Sequence, residues 1–204
     1  MEQREPFCLL TSRLPVSVKV DGKAYQIDTR ATVAIDCLLK MQDPEANEDL
    51  IQMYVVKRMV ILAASGDFSQ FNYKDMYKLC AEFLNGPPEE EEGTKKHSIP
   101  PKPVMDYLQD AEAIVASFWQ AYGLDLEQTT SLHWWTFLAL LKNLPAETAF
   151  SRIVSLRTKT LPAKAPAEAK AELSKAQAKV AVKDRRTAEQ KRRAAQASIN
   201  ALDL

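Results

Sequence analysis

The segment from Ser131 to Leu141 constrains this chain more than any other. After the serine it reads Leu132-His133-Trp134-Trp135-Thr136-Phe137-Leu138-Ala139-Leu140-Leu141. Wound into a helix, such a run is apolar on nearly every side, and a helix of that kind must be covered all round. The rest of the chain has to supply the cover, and it has to do so mostly with helices. Only five glycines occur in 204 residues, and long stretches are rich in Ala, Leu, Glu and Lys, all good helix formers.

One segment breaks that pattern. Val16-Ser17-Val18-Lys19-Val20 alternates apolar and polar residues, Asp21-Gly22 follows, and Lys23-Ala24-Tyr25-Gln26-Ile27 alternates again. Asp-Gly between alternating runs predicts a β-hairpin, because the two-residue turn needs positive φ at both central positions. The register places Val20 opposite Lys23, Val18 opposite Tyr25 and Val16 opposite Ile27. One face then carries Val16, Val18, Tyr25 and Ile27. A lone hairpin is marginal in water, so this face is expected to rest on a helix.

Apolar spacing and terminal residues predict the helices. Asp28 or Thr29 is suited to cap a first helix that carries Val33, Ile35, Leu38 and Leu39 and runs to about Met41. Asp43-Pro44 marks a break. Pro44 fits the first turn of a second helix, with Glu45, Glu48 and Asp49 near its positive end. Ile51, Val55, Met59 and Leu62 continue that helix to Ala64, and Gly66 ends it. A third helix spans about Asn72 to Leu84, with Met76, Leu79, Cys80 and Phe83 on one face, and Asn85-Gly86-Pro87-Pro88 stops it. A fourth runs from Met105 to Tyr122. Its expected core stripe is Leu108, Ala111, Val115, Phe118 and Tyr122, widened by Ile114 and Trp119, and Gly123 suits its end. After the apolar run, Leu144-Pro145 restarts the chain, and Phe150, Ile153 and Val154 mark a short helix ending near Arg157.

The stretch 86–103 has no periodicity. It holds Glu89 to Glu92, Lys95, Lys96 and five prolines, and reads as a flexible acidic and Pro-rich linker. The expected organisation is a hairpin plus helices over 8–85, this linker, a helical subdomain over 104–160, and an Ala-rich tail over 161–204 that is helical or disordered. The fold class is mainly α, with an N-terminal β-hairpin packed on helices, a helical C-terminal half and an extended Ala-rich C-terminal helix. The chain has 27 basic and 27 acidic residues, but the last 44 hold ten basic and five acidic ones. An acidic body with a basic end reads as a body with an interaction tail.

Residue chemistry narrows the function classes. Cys8, Cys37 and Cys80 show neither a CxxC spacing nor an even count, which argues against a disulfide framework and a zinc site. There are two histidines, His97 in the linker and His133 in the apolar run, where a hydrogen-bonded structural role is the expected reading. No two glycines form a phosphate-binding loop pattern. The expectation is therefore a non-enzymatic protein with no cofactor and no metal. Trp134 and Trp135 point about 100° apart on a helix, so they are expected to pack into different sides of a core. The sequence shows no apolar run long enough to span a membrane and no basic-then-apolar opening of a secretory signal. A cytoplasmic location is the expectation. The candidate partner-binding residues are Arg185, Arg186, Lys191, Arg192 and Arg193. They lack interleaved aromatic residues, so a protein partner is favoured over a nucleic acid.

Asp110-Ala111-Glu112-Ala113-Ile114, Tyr122-Gly123-Leu124-Asp125-Leu126, and Leu132-His133-Trp134-Trp135 with Phe137, Leu144-Pro145, Thr148, Phe150, Ile153 and Arg157 resemble the bacteriophage "Gp-fifteen" family of tailed-phage proteins. Leu14-Pro15, Val18, Val20-Asp21-Gly22-Lys23, Tyr25, Ile27 and Thr29 resemble its opening hairpin. The similarity covers roughly residues 8–160. Ala31-Thr32-Val33-Ala34 stands where the family usually has an aromatic, and the Ala-rich basic tail departs from the usual end. The resemblance implies a phage or prophage gene lying just before the tape-measure gene. It also implies a role like that of tail assembly chaperones, which bind the tape-measure protein in the host bacterial cytoplasm and can engage tail-tube subunits and further copies of themselves. A structural minor tail component retained in the virion is the alternative. The resemblance implies no catalytic residues.

Overall fold

A computed structural model describes residues 8–62, 72–88 and 104–185 of the chain. Arg186, Lys191, Arg192, Arg193, Gly66, His97 and the Glu89–Glu92 run lie outside the described residues. Among the described residues, two strands and seven helices form: β1 Ser17–Val20, β2 Lys23–Gln26, α1 Ala31–Met41, α2 Glu48–Met59, α3 Tyr73–Leu84, α4 Ala111–Tyr122, α5 Trp134–Lys142, α6 Ala149–Thr158 and α7 Ala167–Val180. The protein is mainly α with one small antiparallel hairpin, as the sequence predicts. Two compact units form. One holds β1, β2, α1, α2, α3 and the stretch Thr130–Ala139. The other holds α4, α6 and α7, and the chain passes between units inside α5, after Ala139.

In the first unit the hairpin has the predicted register, with Val18 opposite Tyr25 and Val20 opposite Lys23. Asp21 and Gly22 both have positive φ, at 49° and 76°, which a tight primed turn requires. Strand β1 packs on α3. Val20 in β1 and Ile27 just after β2 are buried, whereas Val16, expected on the covered face, is 58% exposed. Beyond β2 the chain does not turn straight into a helix. Asp28 N–H donates to the Met59 carbonyl at 2.7 Å, Ile61 N–H donates to the Gln26 carbonyl at 2.9 Å, and Ile27 bridges Val60. These pairings hold residues 26–30 extended, so α1 begins at Ala31 with Arg30 as its N-cap residue. The Asp28 side chain instead accepts hydrogen bonds from Arg30.

The same pairing sets the end of α2. Val60 leaves the helix in an extended conformation to reach Ile27, so α2 stops at Met59 and does not continue to Ala64. Its start is also later than expected. The Asn47 side chain accepts from Leu50 N–H and caps the helix, which leaves Pro44 and Glu45 in the preceding turn. Helix α1 buries Ala31, Val33, Ala34 and Cys37, and its leucines are only half-buried. The covered face is the small-residue one, which suits the close approach of α2. Helix α3 matches its predicted span and face, with Asn72 capping it and Met76, Cys80 and Phe83 buried. Gly86, at φ +95°, turns the chain away.

The Leu-His-Trp-Trp block forms the centre of this unit. Trp134 and Phe137 are almost fully buried and Trp135 is 8% exposed. Thr29 carbonyl accepts from Trp134 N–H at 2.7 Å, and Ala31 N–H donates to the Leu132 carbonyl at 2.8 Å. The two indoles do not diverge fully. Trp134 Nε1–H donates to the Leu84 carbonyl and Trp135 Nε1–H to the Phe83 carbonyl, each at 2.9 Å. Neighbouring tryptophans thus satisfy neighbouring carbonyls at the end of α3, which a helix C-terminus leaves without intrahelical donors. Trp134 stacks on Phe137, and Trp135 stacks on Phe83.

In the second unit α4 packs on α6, and α6 on α7. Phe150 N–H donates to Ser117 Oγ at 3.0 Å, joining α6 to α4 through a buried hydroxyl. Gly123, left-handed at φ 62°, ends α4 with its N–H on the Trp119 carbonyl. Helix α7 buries no residue, as its sparse apolar content predicts. It is nevertheless tied down, because the Gln177 amide donates to the carbonyls of Leu156, in the last turn of α6, and Lys159, just past it.

Candidate functional site

The site candidate lies on α4 and the turn before it. Sequence spacing predicts a helix from Met105, yet residues 104–110 form a turn held by two aspartates. Asp106 Oδ1 accepts from the N–H groups of Leu108 and Gln109 at 2.9 and 2.7 Å. Asp106 N–H donates to Asp110 Oδ2 at 2.9 Å. Aspartates favour such local side-chain to backbone bonds over continued helix, so α4 starts at Ala111.

Arg157 on α6 fixes this turn. Its guanidinium makes a two-pronged ion pair with Asp110, at 2.6 and 2.8 Å, and both side chains are at least nine-tenths buried. It also donates to the Val104 carbonyl and, from Nε, to the carbonyl of Val180, the last residue of α7. One arginine therefore ties together the entry to α4, the end of α6 and the end of α7. Burial by itself raises the Asp110 carboxyl, but the Arg157 guanidinium and the Asp106 backbone outweigh it and hold the group below the usual carboxylate range.

With its entry clamped, α4 turns an unexpected face inward. The buried residues are Ile114, Ser117 and Phe118. Most of the predicted core stripe faces outward: Leu108 is 60% exposed, Trp119 60%, Val115 42% and Tyr122 37%. Tyr122 keeps its hydroxyl on the Leu140 carbonyl at 2.9 Å. The result is a strip of aliphatic and aromatic surface along one helix face, of the kind that marks a binding surface.

Of the candidate partner-binding residues, Arg185 is the one within the described residues. Arg185 donates to Asp106 Oδ1 at 2.8 Å, and Gln109 holds the chain just before it, through the Ala181 carbonyl and the Lys183 N–H. Arg185 is thus engaged with the turn before α4. Arg186, Lys191, Arg192 and Arg193 lie outside the described residues.

His133 and two of the three cysteines are committed to the fold of the first unit. His133 Nδ1 accepts from Trp135 N–H at 3.1 Å, so its proton sits on Nε2, which donates to the Pro15 carbonyl at 3.0 Å. The histidine caps the start of α5 and anchors the segment before the hairpin, and is half-buried. Burial pushes the thiols of Cys37 and Cys80 up to about 12, which keeps them protonated and unreactive. Among the described residues, no group of three or more His, Cys, Asp or Glu is arranged to hold a metal ion. Among the same residues, no helix is long and apolar enough to cross a membrane.

The family described as Bacteriophage Gp15 protein matches residues 10–182, from before the hairpin through α7. The chain belongs to that family. No curated protein and no solved structure matches it. The match to the Gp15 family takes in every described element, including the Asp110–Arg157 clamp and the exposed strip of α4.

Proposed function

We propose that this Gp15-family chain is a tail assembly chaperone that binds the tape-measure protein during tail morphogenesis. The observation that carries this reading is the exposed strip of Val115, Trp119 and Tyr122 on α4, with Leu108 in the turn before it. An amphipathic helix from a long helical partner would lay its own apolar face against such a strip. The phage family supplies the setting, and the resemblance to chaperones encoded ahead of the tape-measure gene supplies the partner. The chain acts by binding and without catalysis, in the host bacterial cytoplasm. The structural use of both His133 nitrogens supports this.

The test is co-expression with the large helical protein encoded downstream, followed by purification through one partner. The two chains are expected to co-purify, with this chain absent from mature particles. Trp119→Asp is expected to abolish co-purification while changing stability by no more than about 0.5 kcal/mol, as for other exposed positions. Recovery of this chain in purified virions, with no complex beforehand, would replace the chaperone reading with that of a structural tail component.

A further inference from the structure

A second surface lies on the first unit, on α2. The inward face of that helix carries Gln52, Val55, Val56 and Met59. Its opposite face carries Leu50, Met53, Tyr54 and Lys57, at the i, i+3, i+4, i+7 spacing of a single stripe. Leu50 is 49% exposed and Met53 38%. Together with Lys40 and Arg58 these residues line an open hollow of about 400 Å³.

The charges around the hollow are unequally satisfied. Arg58 is paired with Asp36 at 2.7 Å, and Tyr54 donates to the same carboxylate. Lys40 is paired with Asp43 at 2.7 Å. Glu48, at the start of the helix, accepts from Gln52. Two charges on the helix remain without a partner among the described residues, the anion Asp49 and the cation Lys57. They are eight residues apart, about 12 Å along the axis at 1.5 Å per residue, and Met53 stands midway.

We propose that this face of α2 binds a second copy of the chain, antiparallel, about a two-fold axis at Met53. A two-fold contact requires a patch that complements itself, and α2 offers one. The antiparallel copy sets Asp49 of each chain against Lys57 of the other and packs Met53 on Met53, with Leu50 covering the stem of the facing lysine. A parallel copy would set Asp49 against Asp49 and Lys57 against Lys57, which is repulsive. An unrelated acidic helix would satisfy Lys57 but leave Asp49 facing like charge. Tyr54, Arg58 and Lys40 are already held by Asp36 and Asp43, so these three need little ordering on contact. One short helix covers less than a standard interface, so the dimer is concentration-dependent.

Sedimentation equilibrium of the full chain over a range of concentrations tests this. Wild type is expected to show a monomer–dimer equilibrium that weakens as salt rises. Lys57→Glu and Asp49→Lys each place like charges at both symmetric contacts, and each is expected to raise the dissociation constant about tenfold. The double variant D49K/K57E swaps the charges and is expected to restore the wild-type value. Circular dichroism checks that each variant is folded, which exposed positions on one helix face allow. A wild type monomeric at every concentration would overturn the proposal. So would single variants that dimerise as before, or a double variant no tighter than the singles. The result is independent of tape-measure binding, which uses α4.

Discussion

Asp110 and Arg157 illustrate how one residue pair sets a larger arrangement. Their ion pair is buried and two-pronged, and removing one partner leaves the other charge buried and uncompensated. Asp110→Asn is expected to cost about 3 kcal/mol at neutral pH, read from urea denaturation. Because the folded carboxyl titrates below its unfolded value, the stabilisation is complete above about pH 4 and is lost as the pH falls through the folded value. The gap between wild type and variant should therefore close on acidification and stay constant toward neutral pH. A gap that widened in acid would contradict the assignment. None of this was legible beforehand. Asp110 and Arg157 are 47 positions apart, and Asp110 reads from sequence as part of a continuous helix.

At the scale of elements, what could be read depended on whether an element's ends and face are set by its own residues. The hairpin is self-specified by Asp21-Gly22 and by alternation, and its register was correct. Helix α3 brings its own cap, Asn72, and its own stop at Gly86, and its span was correct. Helix α2 is different, because its last residues are drawn off by Ile27, a contact that periodicity cannot see. Helix α4 is the sharpest case. Of its expected core stripe only Phe118 and the flanking Ile114 are buried, and Leu108, Ala111, Val115, Trp119 and Tyr122 are exposed. The inner face includes Ser117, a polar residue whose hydroxyl bonds Ala113 and receives Phe150 N–H. Apolar spacing finds a coherent surface without saying what covers it, and here the misread face became the candidate site. The tryptophan pair gives a test at this scale. Trp134→Phe removes the indole donor to Leu84 and leaves that buried carbonyl unsatisfied, at a cost of about 1–3 kcal/mol. Trp135→Phe should cost less, because Gly86 N–H also reaches the Phe83 carbonyl. Equal losses in chemical denaturation would argue against this division of labour.

On the scale of the whole molecule, the two units carry different surfaces: an apolar and charged face on α2 in one, and an aromatic strip on α4 in the other. The basic end of the chain, singled out for its charge, forms α7 and reaches the turn before α4 through Arg185. The placement of the three tryptophans has a practical consequence. Trp134 and Trp135 are sealed in the first unit, while Trp119 is open to solvent in the second. Their fluorescence divides accordingly into a shielded pair and a single accessible emitter. Iodide should quench only the accessible part in the free protein, and that part should become protected when a partner covers α4. Uniform quenching of all emission would contradict the sealed positions of Trp134 and Trp135. The chain thus carries its own optical probe of occupancy, with an internal reference that needs no label.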